Sequence, residues 1–241
     1  MSNLKEFLMD VKTFSSPERT AALQSEFIRR VYNWMGLGLA LTGLVAYYTT
    51  SSPTLTDLIF GNQLVFFALI IGQLGLVIGL SAAIDRLEPK TATLLFFLYA
   101  GLTGLTLSVV FLAYTQSSIA STFFVTAGTF AVTSIFGYTT KRDLTSWGSF
   151  FYMGLIGIIL ASLVNFWLQS EAIYWVTTYI GVFVFVGLTA YDTQAIKNMA
   201  AAGFADAATE TKAAVIGALK LYLDFINLFL MLLRIMGGRR D

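Results

Sequence analysis

Leu64-Val-Phe-Phe-Ala-Leu-Ile-Ile-Gly-Gln-Leu-Gly-Leu-Val-Ile-Gly-Leu-Ser-Ala-Ala-Ile84 contains no charged residue and a single amide, Gln73. A helix crosses the hydrocarbon core of a bilayer with about 20 mostly apolar residues, so this stretch reads as a membrane span. Comparable windows recur on both sides of it, at 29–49, 92–114, 119–138, 147–168, 173–195 and 214–236. The expectation is seven transmembrane helices in an all-α integral membrane protein. Short polar or glycine-marked separators divide them: Thr49 to Gln63 with Pro53, Asp85 to Thr91 with Pro89, Gln116 to Ser118, Thr139 to Ser146, Gln169 to Ala172, and Asn198 to Ala213.

Composition agrees. Of 241 residues 56% are hydrophobic and 12% charged, with mean hydropathy +0.73, whereas soluble domains carry about 25% charged residues. A net charge of +1 gives no bias toward nucleic acid. Cysteine and histidine are both absent, which removes disulfides, thiolate chemistry, zinc fingers, histidine-ligated haem and imidazole-based triads. No cofactor is expected. Residues 1–26 mix acids, bases and apolar residues without a compact apolar core, so they read as a retained arm and not as a signal peptide. The membrane domain is placed at 27–237 and a short basic tail at 238–241.

Lysine and arginine mark cytoplasmic loops. They cluster in the amino-terminal arm (Lys5, Lys12, Arg19, Arg29, Arg30), in loop two (Arg86, Lys90), loop four (Lys141, Arg142) and loop six (Lys197, Lys212), and are missing from loops one, three and five. That alternation predicts a cytoplasmic amino terminus for six crossings. A seventh full crossing would place Arg234, Arg239 and Arg240 outside, against the rule. A full span is favoured over a segment that turns back. Small residues at Gly72, Gly75 and Gly79, at Gly101, Gly104 and Ser108, and at Gly154, Gly157 and Ala161 have helix-packing spacing and are read as bundle contacts only.

Ionisable groups inside a span are costly, about 2.5–3.5 kcal/mol for a central Asp, and are functional candidates by default. Asp192, in Tyr191-Asp-Thr-Gln-Ala-Ile-Lys197, and Asp224, in Leu221-Tyr-Leu-Asp-Phe-Ile-Asn-Leu-Phe-Leu230, are the clearest two. Lys220 can snorkel its ammonium to the cytoplasmic interface, which starts the apolar part of span seven near Leu221 and sets both carboxylates at similar depth. Lys220, Asp224, Asn227, Met231 and Arg234 follow three- and four-residue steps and share a helix face. Two carboxylates close together in a weakly solvated site cannot both ionise cheaply, so one proton would be shared. Arg86 is the plausible cationic partner, since a guanidinium can bridge two carboxylates; its bland alternative is a topology anchor. For the aspartates the alternative is a structural pair that orders two helices.

The local sequences resemble the Bax inhibitor-1 family, also called the transmembrane Bax-inhibitor-motif family. Gly101-Leu-Thr-Gly-Leu-Thr-Leu107, Tyr191 to Lys197, and Leu221 to Leu230 followed by Leu233-Arg234 carry the match, which extends from about Glu26 to Gly237. The resemblance implies two three-helix layers around a central C-terminal helix, and a calcium leak governed by pH. It also implies that Asp192 and Asp224 are the family's paired aspartates, with Arg86 in contact with them. Asn227, Tyr191, Tyr222 and Lys220 are candidates for lining the pathway or supporting the pair, and the two aspartates for transient contact with calcium. Some relatives carry an acid in mid-span two, where this chain has Ile71-Gly-Gln-Leu-Gly-Leu-Val77.

The expected function is a pH-sensitive cation leak, with calcium or other cations, protons and the bilayer as partners, and no nucleic acid. A non-conducting regulator that acts on other membrane proteins in stress protection is the alternative. An intramembrane aspartyl protease shares the Tyr191-Asp192 dipeptide but requires Gly-x-Gly-Asp at the second site, where this chain has Leu221-Tyr-Leu-Asp224. A retinal-binding bundle needs a deep lysine in the last span, and Lys220 lies too near its start. The absence of a targeting signal points to a bacterial inner membrane.

Overall fold

The computed structural model describes the backbone of residues 17–240 and side chains from Ala22 to Arg240. Lys5 and Lys12 of the expected arm lie outside the described residues, as does the side chain of Arg19. Within the described part of that arm, residues 17–26 form the start of the first helix.

Among the described residues eight α-helices follow one another: α1 (Pro17–Ser51), α2 (Pro53–Phe60), α3 (Gln63–Ala83), α4 (Pro89–Ala113), α5 (Gln116–Thr139), α6 (Thr145–Leu168), α7 (Glu171–Ala202) and α8 (Ala207–Met236). A 3-10 turn, Ile84–Arg86, closes α3. The helix starts follow local chemistry. Pro53 and Pro89 occupy first-turn positions, where the missing N–H has no partner to lose. Asn62, Thr115, Ser170 and Asp206 accept hydrogen bonds from first-turn amides of the helices they precede.

Among the described residues six helices, α3 to α8, are long and apolar enough to cross a membrane. Helix α1 has 35 residues, but Arg29, Arg30, Asn33 and Thr42 dilute its apolar character. The separator expected at 49–63 hides the short helix α2, and the one expected at 198–213 is mostly helical. Helices α7 and α8 both run beyond their apolar windows, which leaves only residues 203–206 between them.

Helix α8 is the most enclosed: 61% of its apolar window is buried, against 6% for α3. It separates two cores. One joins Phe27 and Val31 of α1, Phe96 of α4, Phe130 of α5 and Tyr222 and Phe225 of α8. The other joins Phe151 and Ile158 of α6, Val184 and Leu188 of α7, and Leu228 and Met231 of α8. Gly104 lets α4 approach α1 closely, since an added Cβ would lie 2.7 Å from the Thr42 carbonyl oxygen. The same packing role was expected of Gly72, Gly75 and Gly79, but each faces open space. Helix α3 rests mainly on α4, at the edge of the bundle, so its glycines meet no partner helix among the described residues.

Helix α8 runs the full length of the bundle. At its start Glu210 pairs with Arg30 at 3.2 Å, Lys212 Nζ donates to the Asp85 carbonyl at 2.9 Å, and Phe204 packs on Phe27. Beyond its other end, residues 237–240 run antiparallel to the α4–α5 connection. Thr115 N–H donates to Gly238 O at 3.1 Å, and Arg240 N–H to Ala113 O at 3.0 Å. Loops two and six therefore share one end, while loop three and the C-terminal segment share the opposite one. Loop four joins the first end through α7. Gln194 Nε2 donates to Arg142 O, its Oε1 accepts from Leu144 N–H, and Lys197 Nζ donates to Tyr138 O.

Candidate functional site

The polar stripe of α8 is turned toward α7 along an antiparallel seam. Arg234 lies over the Tyr174 ring at 5.2 Å, and Met231 packs where Gly181 leaves room. Nearer the basic end, Asp224 meets Asp192. The two carboxyl groups are within hydrogen-bonding reach of each other and are 5% and 3% exposed. Asp192 is two residues before Gln194, which holds the backbone of loop four. At 1.5 Å of rise per residue, Asp192 sits about 3 Å, roughly half a helical turn, below that contact with loop four.

Among the described residues one cation, Lys220, reaches the pair. Its Nζ donates to Asp192 Oδ1 at 3.3 Å while its side chain remains 37% exposed. The ammonium thus bends into the seam instead of extending away to the interface as the sequence suggested, because Lys220 precedes Asp224 by one turn on the same face. The Tyr152 hydroxyl of α6 donates to the same Oδ1 at 3.4 Å. Among the described residues Asp224 Oδ2 is buried without a hydrogen-bond partner. It is an acceptor that a proton on the facing carboxyl would satisfy.

The expected contact of Arg86 with the pair is not made. Arg86 is exposed in the turn that closes α3 and forms no ion pair among the described residues. Helix α3 packs mainly on α4 and not along the α7–α8 seam, and Lys220 occupies the cationic position from within α8. Tyr222 points to the other side of α8, fully buried, with its hydroxyl 2.7 Å from Thr42 Oγ1 and its ring edge-on to Phe96 and Tyr99. It is a core anchor. Asn227 is spent on its own helix, donating to Leu223 O at 2.8 Å. Tyr191 packs its ring against Gly148, where a Cβ would have no room, and edge-on against Tyr152 at 5.9 Å.

Three contributors lie outside the expected set. Tyr152 gives no signal in the sequence, because a tyrosine in an apolar helix is ordinary. Thr193, 3.2 Å from the Tyr32 hydroxyl, and Gln194 could have been noticed. With Asp192 they form an unbroken polar run inside a span. Among the described residues no three acidic side chains converge as a metal site would require. The arrangement can hold or release a proton between two carboxyls beside one ammonium.

Comparison with known proteins places this geometry in context. The sequence pattern of a family described as inhibitor of apoptosis-promoting Bax1 matches residues 24–241. The chain is 58% identical over 221 residues to the inner membrane protein YbhL of Escherichia coli strain K12, covering 91% of this chain and 94% of that protein. It is 47% identical over 219 residues to an uncharacterized protein of Borreliella burgdorferi, covering 91% and 94%. A Rickettsia prowazekii protein, also uncharacterized, is 47% identical over 218 residues, covering 89% and 90%. With a family pattern over nearly the whole length, and relatives of this similarity matched almost end to end, the chain is an integral membrane protein that belongs to the Bax inhibitor-1 family.

Proposed function

We propose that the protein is a pH-sensitive cation leak, with calcium as its cargo, in which proton exchange at Asp192 and Asp224 controls the α7–α8 seam. The observation that carries this reading is the charge balance of the site: two buried carboxyls share one ammonium, Lys220. Burial of an unbalanced charge is costly, so a proton shared by the pair brings the site to neutrality, and its loss leaves like charges facing each other. Between the pair and the opposite end, Val184, Leu188, Leu228 and Met231 close the seam with apolar side chains. Cation passage requires these to part, and repulsion between ionised carboxyls supplies a force in that direction.

In this reading seven helices, α1 and α3 to α8, cross the membrane, with α8 central between two layers of three. The basic loops and the amino terminus face the cytoplasm, in a bacterial inner membrane such as that named for the Escherichia coli relative. Calcium contacts at Asp192 and Asp224 are transient, since two carboxylates alone provide fewer oxygens than the six to eight that calcium takes.

Calcium flux into proteoliposomes, measured across pH, tests the proposal. Purified protein carries calcium above the rate of empty liposomes, and Asp192→Asn and Asp224→Asn each flatten its pH dependence. Flux at the empty-liposome rate at every pH would favour a non-conducting regulator, and full pH sensitivity in both variants would remove the pair from the mechanism.

A further inference from the structure

Helices α1 and α5 flank a groove because each packs on α7 and α8 more than on the other. They meet where the Tyr32 ring lies edge-on to Phe130 at 6.5 Å. Toward the basic end the gap widens into a groove of about 520 Å³ whose floor is Thr193 of α7 and whose walls include Ile28 of α1 and Ala131 and Ile135 of α5. Its walls are mainly apolar, and it opens sideways from the bundle, where acyl chains surround a membrane protein. Farther along the same seam a second, smaller recess of about 90 Å³ continues between Gly43 and Ala46 of α1 and Ile119 and Phe123 of α5.

The mouth of the groove has a different chemistry. Arg29, Ser25 and Tyr138 line it. Arg29 has no carboxylate partner among the described residues, in contrast to Arg30, which pairs with Glu26 and Glu210. Lys197 sits beside the same mouth, its Nζ 5.1 Å from the centre of the Tyr138 ring. One of its three N–H donors is used by the Tyr138 carbonyl, which leaves two. Two cations and two hydroxyls therefore stand where an apolar channel reaches the basic end of the bundle. That is the polarity of an anionic phospholipid: a phosphate at the interface and a hydrocarbon tail directed into the membrane.

We propose that the α1–α5 groove is a binding site for one anionic phospholipid, its phosphate held by Arg29 and Lys197 and one acyl chain lying along Ile28, Ala131 and Ile135. Its floor residue Thr193 adjoins Asp192 in the chain, yet lipid retention is read without any ion flux.

The full-length protein in detergent, titrated with phosphatidylglycerol, phosphatidylcholine or free glycerol phosphate and read by native mass spectrometry, tests this. Phosphatidylglycerol is retained under activation that strips phosphatidylcholine, and free glycerol phosphate is not retained. Arg29→Gln combined with Lys197→Gln lowers retained phosphatidylglycerol at least about fivefold, as expected for removing two interfacial charge contacts. Ala131→Trp, which fills the groove without touching its charges, lowers it to a similar extent. Asp192→Asn leaves it unchanged. Equal retention of both lipids by the wild type would overturn the proposal, as would loss in only one of the two groove variants. The first variant alone would indicate a surface phosphate contact, and the second alone a chain bound without headgroup recognition.

Discussion

Lys220 and Asp192 are joined across the α7–α8 seam, Nζ to Oδ1 at 3.3 Å, by a lysine placed one helical turn before Asp224. The ammonium is thereby tied to one aspartate through space and to the other through the helix. Breaking a fully buried ion pair costs about 3–5 kcal/mol because a bare charge is left behind. Lys220 is more than a third exposed, so water screens part of this, and Lys220→Met is expected to destabilise by about 1–2 kcal/mol. Asp192→Asn in the same chain should recover most of that loss. Thermal melting of the two single variants and the double variant in detergent measures the coupling, and strictly additive effects would show that the pair contributes no interaction energy.

That relationship also separates what could be read from the sequence from what could not. The apolar windows for 64–84 and 147–168 agree with α3 and α6 to within two residues, because uncharged runs of span length permit little else in a chain without His or Cys. Asp192 and Asp224 stood out for the same reason, as charges where charge is costly. The cationic partner was not legible. Arg86 and Lys220 are both basic residues at span ends, and choosing between them depends on α3 lying outside α4, a packing fact that periodicity does not encode. Tyr152 was hidden because its hydroxyl acquires a role only through the register of α6 against α7. The unpartnered glycines of α3 show the converse: small-residue spacing permits close packing but does not supply a partner.

Gly104 and Gly75 therefore make opposite forecasts for the same substitution. A methyl group at 104 would press on the Thr42 carbonyl oxygen and on Val45, where backbone and a branched side chain yield little. Gly104→Ala should destabilise by about 1–3 kcal/mol, the usual range for overpacking. A methyl group at 75 meets nothing within 4 Å, and alanine is the better helix former by up to about 1 kcal/mol. Gly75→Ala should leave stability unchanged or raise it. Melting temperatures of the two variants in one detergent provide the comparison; a large loss at Gly75 would reveal a partner outside the described residues.

Asp206 caps α8 from the connection outside the spans. Its Oδ1 accepts from Thr209 N–H at 2.7 Å, and hydrogen bonds to the backbone and side chain of Thr209 hold its carboxyl below the ordinary carboxylate range. A group with a depressed native value stabilises the fold above its unfolded value, and loses that contribution as pH falls through the native one. At pH 6 the first-turn amides of α8 should exchange several times faster in Asp206→Ala than in the wild type. The difference should shrink as pH falls below about 4, where the unfolded carboxyl begins to bind a proton. Hydrogen exchange of a peptide spanning 207–212 reads this directly, and a difference that persisted unchanged to low pH would mean that the cap does not depend on the carboxylate.

The direction of the last helix is open to a clean test because the chain has no cysteine. Arg239 and Arg240 argue for a C-terminus on the basic side, yet residues 237–240 are bonded to Ala113, Thr115 and Ser118 at the opposite end. The guanidinium of Arg240 also has a partner there, donating to Phe111 O at 3.1 Å. A short basic tail anchored by backbone pairing can stand against the charge rule, which acts as a bias on orientation and not as a bond. Single cysteines at Ser117 and Arg240 should therefore react with an impermeant maleimide from one face of the membrane, and cysteines at Asp85 and Asn198 only from the other. Labelling of Arg240→Cys together with Asn198→Cys from the same face would show that α8 does not cross, and would separate the C-terminal segment from loop three.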